Sequence, residues 1–166
     1  MGEKRLTLAP GTMLKEHYRI EEVIGSGGFA ITYKGVNTEK NVTVAIKEFS
    51  PIRDDVQTEH EKARFIREAQ ILREFDYLEG VVSVRNVFEQ EECAYLVMDY
   101  IEGITLKDYV REYGTFSFEE LVRMVTPVMR SLTKIHRRNV THCDISPDNL
   151  IIGMDKIGRT SCRERV

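Results

Sequence analysis

Between Tyr18 and Phe49 three short runs rich in β-branched and aromatic residues, Tyr18–Ile24, Ile31–Val36 and Val42–Phe49, are separated by a glycine cluster and by Asn37-Thr38-Glu39-Lys40-Asn41. Apolar runs of this length bounded by glycine and asparagine predict strands joined by tight turns, so this stretch is expected to form an antiparallel meander. After Ser50-Pro51 the period changes. Across Glu59–Phe75 the apolar positions Phe65, Ala69 and Leu72 return after three or four residues, with charged residues between them, which predicts a helix buried along that stripe. Two more strand-like runs, Val81–Glu89 and Ala94–Asp99, flank the acidic turn Gln90-Glu91-Glu92-Cys93 and bring the expected sheet to five strands.

From Thr105 the pattern is helical. A short segment, Leu106–Tyr113, precedes Ser117-Phe118-Glu119-Glu120, whose Ser and third-following Glu have the form of a capping box opening a longer helix. Leu121, Val122, Val125, Val128, Met129, Leu132 and Ile135 are expected to form its apolar face. Pro127 lies inside it and is expected to bend it or loosen a turn, since an interior proline costs roughly 3 kcal/mol in a straight helix. Leu150-Ile151-Ile152 reads as a last short strand, and Met1–Met13, with Ala9-Pro10-Gly11 and no sustained period, as a lead-in to structure that begins near Tyr18. The expected fold class is α+β: an antiparallel sheet with one helix, then the first helices of a second, helical part.

Composition narrows the functional classes. With 42% hydrophobic and 31% charged residues the chain has the balance of a soluble globular domain rather than a disordered one. A net charge of −3 with both signs interspersed offers no basic field for a nucleic acid and no polybasic anchor for a membrane surface, so neither is expected as a partner. Cys93, Cys143 and Cys162 are odd in number and irregularly spaced, which suits reduced thiols in a cytoplasm better than a disulfide frame or a zinc site. The first residues lack the apolar run of a signal peptide, Leu6 stands where a myristoylation motif wants Ser or Thr, and no run reaches the length of a membrane span. The expected location is cytoplasmic, with a longer parent protein free to carry a membrane anchor further on.

Four features carry chemistry. Gly25-Ser26-Gly27-Gly28-Phe29-Ala30 lies between two predicted strands, where glycines let backbone N–H groups approach phosphate oxygens without a Cβ in the way. Val44-Ala45-Ile46-Lys47 ends an apolar strand on a cation. Glu68 flanks the apolar stripe of the following helix. His142-Cys143-Asp144-Ile145-Ser146-Pro147-Asp148-Asn149 sets a carboxylate five residues before an amide, a spacing able to place a proton acceptor beside a metal ligand. Each alone has a bland reading: a hairpin, an edge lysine, a solvated glutamate, a polar loop.

In this order, with these elements between them, the four resemble the protein kinase family, in style its bacterial Ser/Thr branch. The resemblance covers about Tyr18 to Asp155 and implies a protein-kinase-like fold: a five-stranded small lobe with one helix to residue 98, a hinge at 99–103, and the start of a helical large lobe from residue 104, incomplete at residue 156. It further implies ATP and Mg²⁺ as cofactors and a protein hydroxyl as the acceptor. Residue by residue it implies Asp144 as the base, Lys47 on the α- and β-phosphates with Glu68 orienting it, and Asn149 on the metal. Around the nucleotide it sets Ile24, Gly25, Ser26, Gly27, Gly28, Phe29, Ala30, Thr32, Ala45, Met98 as gatekeeper, Asp99 and Ile101 at the adenine edge, and Ile151 as the floor.

Three positions depart from the family pattern. Ala30 replaces its third glycine, Cys143 the arginine before the aspartate, and Ser146 the lysine that most Ser/Thr members carry two residues after it. Cys143 points to control by a route other than a phosphorylated activation loop. Residues Ile157–Val166 resemble a conceptual translation of a sequencing-library adapter, and the family's Mg²⁺-binding D-F-G segment does not occur. The chain is therefore expected to be a fragment of a kinase, inactive in phosphoryl transfer and aggregation-prone, with 157–166 non-native. A nucleotide-binding pseudokinase or scaffold module, and a small-molecule kinase of the aminoglycoside or choline type, are the rival readings.

Overall fold

The computed structural model describes residues 7–26, 30–49, 56–140, 145–153 and 160–162. The chain divides into two compact units, Met1–Arg73 with Val84–Tyr100, and Glu74–Ser83 with Ile101–Val166.

The first unit is a six-stranded antiparallel sheet in the order β1-β2-β3-β4-β6-β5. Its strands are β1 (Met13–Leu14), β2 (Tyr18–Ser26), β3 (Ala30–Asn37), β4 (Val42–Phe49), β5 (Val84–Gln90) and β6 (Cys93–Asp99). β2, β3 and β4 follow one another through tight turns; in the β3–β4 turn the Asn37 side chain accepts from the N–H groups of Glu39 and Lys40, and Asn41 takes a left-handed φ of 51°. Alternation along β3 sends Ile31, Tyr33 and Gly35 to one face, where they meet Leu14, Tyr18, Ile20, Val44, Ile46, Phe88, Tyr95 and Val97 in a single cluster. Within it the rings of Tyr18, Phe88 and Tyr95 stack in sequence, with centroids 5.9 and 5.2 Å apart. On the other face Phe49 meets Phe65 of helix α1 (Val56–Arg73) with ring centroids 5.7 Å apart, and Lys62 of the same helix pairs with Glu89 of β5 at 2.8 Å.

The expected five strands are all present, and the sheet has a sixth. Met13 and Leu14 pair with Arg19 and Tyr18, and the chain before them folds onto β2: Gly11 N–H donates to the Ile20 carbonyl and Ile20 N–H to the Thr12 carbonyl. The lead-in is thus structured from before Tyr18. A two-residue strand carries no period to read, because its order comes from the partner's backbone and from Leu14, which is fully buried. Likewise β5 starts at Val84 rather than Val81, and α1 ends at Arg73, leaving Phe75 and Leu78 to be buried in the turns that follow.

The second unit holds β7 (Gly103–Thr105), helix α2 (Leu106–Tyr113), helix α3 (Phe118–His136), β8 (Leu150–Gly153) and β9 (Thr160–Cys162), the strands forming one antiparallel sheet in the order β7-β8-β9. Thr105 caps α2 by accepting from Asp108 N–H, and the capping box expected at Ser117 and Glu120 is present in full. The face α3 buries matches the expected one at Val128, Leu132 and Ile135 and departs from it at Leu121, Val122 and Met129. Met124, Val128, Ser131, Leu132 and Ile135 are buried, Val128 and Leu132 against Leu150, whereas Phe118, Leu121, Val122 and Met129 are exposed. The helix carries apolar residues around more than one face, so periodicity alone did not select which side packs. It runs unbroken through Pro127, beside which the Thr126 hydroxyl donates to the Val122 carbonyl.

Candidate active site

In the first unit, pairing register does the assembling. Gly25 of β2 lies opposite Thr32 of β3, Thr32 opposite Lys47 of β4, and Lys47 opposite Leu96 of β6. Two residues along, Glu22, Lys34, Ala45 and Met98 form the next such row. Directly opposed residues share a face, with Cβ atoms about 4.5–5.5 Å apart, so Gly25, Thr32, Ala45, Lys47 and Met98 gather on one side of the sheet. They come from four segments of the chain. The row depends on an irregular β2: the register slips between Ile20 and Glu22 and again between Val23 and Gly25, which brings Gly25 opposite Thr32. Lys47 is only 5% exposed, in a strand buried without interruption from Val44 to Phe49. An ammonium so placed is costly unless anionic or hydrogen-bonding groups surround it.

At the end of β6 Met98 is buried against this row, while Asp99 is half-exposed and takes a bidentate ion pair from Arg85 of β5, Nε to Oδ1 at 2.5 Å and the terminal nitrogen to Oδ2 at 2.6 Å. Glu68, on α1, is half-buried and accepts from Arg64 one turn earlier at 2.7 Å. Ile24, Gly25 and Ala30 are half-buried and Ser26 exposed. Gly27, Gly28 and Phe29, at the tip of the expected phosphate loop, lie outside the described residues.

In the second unit the loop 145–149 is fastened to the start of α2. Lys107 N–H donates to the Pro147 carbonyl, and the Lys107 ammonium reaches both Asp148 oxygens at 2.9 and 3.2 Å. Asn149, 2% exposed, donates its N–H to the Ser146 carbonyl in a tight turn. Ile151 is buried in β8, paired with Thr105, and Ile101 is half-buried ahead of β7. Asp144, with His142 and Cys143, lies outside the described residues. Lys107 escaped the sequence reading; a basic residue in the first turn of a helix runs against the helix dipole and was the available sign that it serves a partner elsewhere.

The protein kinase domain family matches residues 18–158. The chain belongs to the protein kinase domain family. Among curated relatives of this kinase chain, a protein of Clostridium acetobutylicum named as a probable serine/threonine-protein kinase is 32% identical over 147 residues, 89% of the chain and 22% of that protein. The serine/threonine-protein kinase PrkC of Bacillus subtilis is 32% identical over 143 residues, 86% of the chain and again 22% of the relative. The kinase chain thus spans about a fifth of the length of these relatives. Among solved structures, that of Rad53 residues 1–466 in complex with AMP-PNP superposes with a TM-score of 0.77 over 90% of this chain and 38% of the other, at 23% identity, a likeness of fold.

Proposed function

We propose that this chain is the nucleotide-binding portion of a serine/threonine protein kinase, a longer parent that transfers a phosphoryl group from ATP to protein hydroxyls. The single observation that carries the reading is the row Gly25–Thr32–Lys47–Leu96, which sets a buried cation beside the glycine-rich end of β2 on one sheet face. Ala45 and Met98, one row on, offer an apolar bed of the kind an aromatic base needs. When bound, ATP supplies the phosphoryl group and Mg²⁺ offsets its charge.

The chain's own residues would divide the remaining work. In the first unit Lys47 would contribute positive charge to the α- and β-phosphates, with Glu68, released from Arg64, to orient it, residues 25–30 with Ile24 and Thr32 would serve the phosphates, and Asp99 the base; in the second unit Ile101 and Ile151 would serve the base. Asn149 would hold the metal, and Asp144 would orient the incoming hydroxyl and accept its proton. The aspartate expected to hold Mg²⁺ in a D-F-G segment belongs to parent sequence beyond this chain, so the chain itself is read as binding nucleotide without transfer.

The deciding experiment is a titration of the 166-residue chain with ADP and with adenosine, compared with Lys47→Met. Loss of a charged contact worth about 1.5–3 kcal/mol should weaken ADP binding roughly 10- to 100-fold and leave adenosine nearly unchanged. Equal affinity of wild type and variant for ADP would remove Lys47 from the site.

A further inference from the structure

Directly behind Lys47, on the opposite face of β4, Glu48 is buried at 4% exposure inside the aromatic cluster of the first unit. It is the carboxylate of an otherwise apolar layer, and two hydroxyls hold it. Tyr33 of β3 donates to Oε2 at 2.6 Å, and Tyr95 of β6 donates to Oε1 at 3.1 Å. Burial first, and then the neighbouring carboxylate, push both phenols well above their usual range, so they remain protonated donors across the physiological range. The Tyr33 hydroxyl also accepts the Leu8 N–H at 3.1 Å, which polarises it as a donor.

The positions of the two donors matter. β3 and β6 are the two strands flanking β4, and Glu48 is tied to both, to Tyr95 directly opposite and to Tyr33 on the diagonal. Consecutive residues of a strand point to opposite faces, so a rotation of β4 that swings Lys47 must swing Glu48 the other way. With one tether on each side, that rotation breaks a hydrogen bond whichever way it goes.

We propose that Glu48 is a positioning residue for Lys47, its hydroxyl tethers fixing the twist of β4 and hence the direction in which the lysine presents its charge. The proposal rests on the nucleotide-binding reading for its purpose, though not for its geometry. An apolar layer would pack as well: replacing a whole buried polar network by residues of similar shape is often nearly neutral for stability. That equivalence provides the test.

Tyr33→Phe and Tyr95→Phe, singly and together, and the all-apolar triple variant with Glu48→Leu added, are made in the 166-residue chain and studied at a temperature where circular dichroism shows each folded. Lys47 acylation by a water-soluble amine reagent, read by mass spectrometry, needs no nucleotide. In the wild type it should be slow; in the double and triple variants it should rise several-fold, with ADP affinity falling about tenfold and adenosine affinity unchanged. A folded triple variant with Lys47 as protected as in the wild type makes the network merely structural and overturns the proposal. Should the triple variant not fold, the single variants decide by the same labelling. If the wild type binds neither ADP nor adenosine, the nucleotide reading fails on its own, and the labelling still decides whether Glu48 positions Lys47.

Discussion

Gly35 shows how narrowly a single residue can be specified. A Cβ there would lie 2.7 Å from the Arg19 carbonyl oxygen and 3.0 Å from Ile46 Cδ1, so β2 would have to move off β3 at the centre of the sheet. Gly35→Ala is expected to destabilise the first unit by about 1–3 kcal/mol, the usual range for overpacking, seen as a lower denaturant midpoint at constant slope. At this scale the site was partly legible. Val44-Ala45-Ile46-Lys47 marks a strand by composition alone, but its lysine taken alone reads as an edge residue; the structure buries it, and the pairing register sets Thr32 beside it. Glu48 was not legible, because a glutamate after an apolar run reads as the strand turning to solvent. The sign was that β3 and β6 each carry a tyrosine within reach of it, which only the register reveals.

Among the elements, α3 shows what a cap and a stripe each determine. Ser117 Oγ accepts from Glu120 N–H, and the Glu120 carboxylate accepts from the Ser117 N–H and hydroxyl. Ser117→Ala should cost the helix ~1 kcal/mol, the typical worth of such a cap, measured by thermal melting. The hydrogen bond from the Ser117 side chain, followed by that from its backbone, holds the Glu120 carboxyl below the usual carboxylate range. A depressed folded value means the contribution is present above the unfolded value, near pH 4.3, and is lost as the pH falls through the lower folded one. Helicity should therefore drop on acidification below about pH 4, and Ser117→Ala should flatten that drop in a circular dichroism titration. The cap was readable from four consecutive residues, being wholly local. The buried side of α3 was readable at Val128, Leu132 and Ile135, but not at Met124 and Ser131, nor in the exposure of Leu121, Val122 and Met129, which spacing alone does not decide. β7 was also hidden: Gly103 lies against the Ile152 carbonyl with no room for a side chain, a requirement set by a strand nearly fifty residues away.

For the molecule as a whole, the apolar residues left on the surface of α3 are the feature with the largest consequence for handling. Phe118 is 80% exposed and Met129 58%, and with Leu121 and Val122 they form a run along a helix. Each such side chain forgoes roughly 1.5–3 kcal/mol of burial, and a contiguous exposed patch is an association site. The 166-residue chain is expected to self-associate with rising concentration, and Val122→Lys with Met129→Glu should return it to a single species in sedimentation without altering ADP affinity. A monodisperse wild type would show that the patch is harmless. No helix among the described residues is long and apolar enough to cross a membrane.

The short pairing of Met13–Leu14 with β2 bears on where a shortened protein should begin. The family match opens at Tyr18, and cutting there looks economical. It would strip Leu14 and Leu8 from the back of the sheet, open Ile20 and Tyr33 to water, and remove the Leu8 amide from the Tyr33 hydroxyl. The homology boundary at Tyr18 thus lies at least ten residues inside the physical one, and anyone trimming the gene or fusing a tag should keep Leu8 and all that follows it.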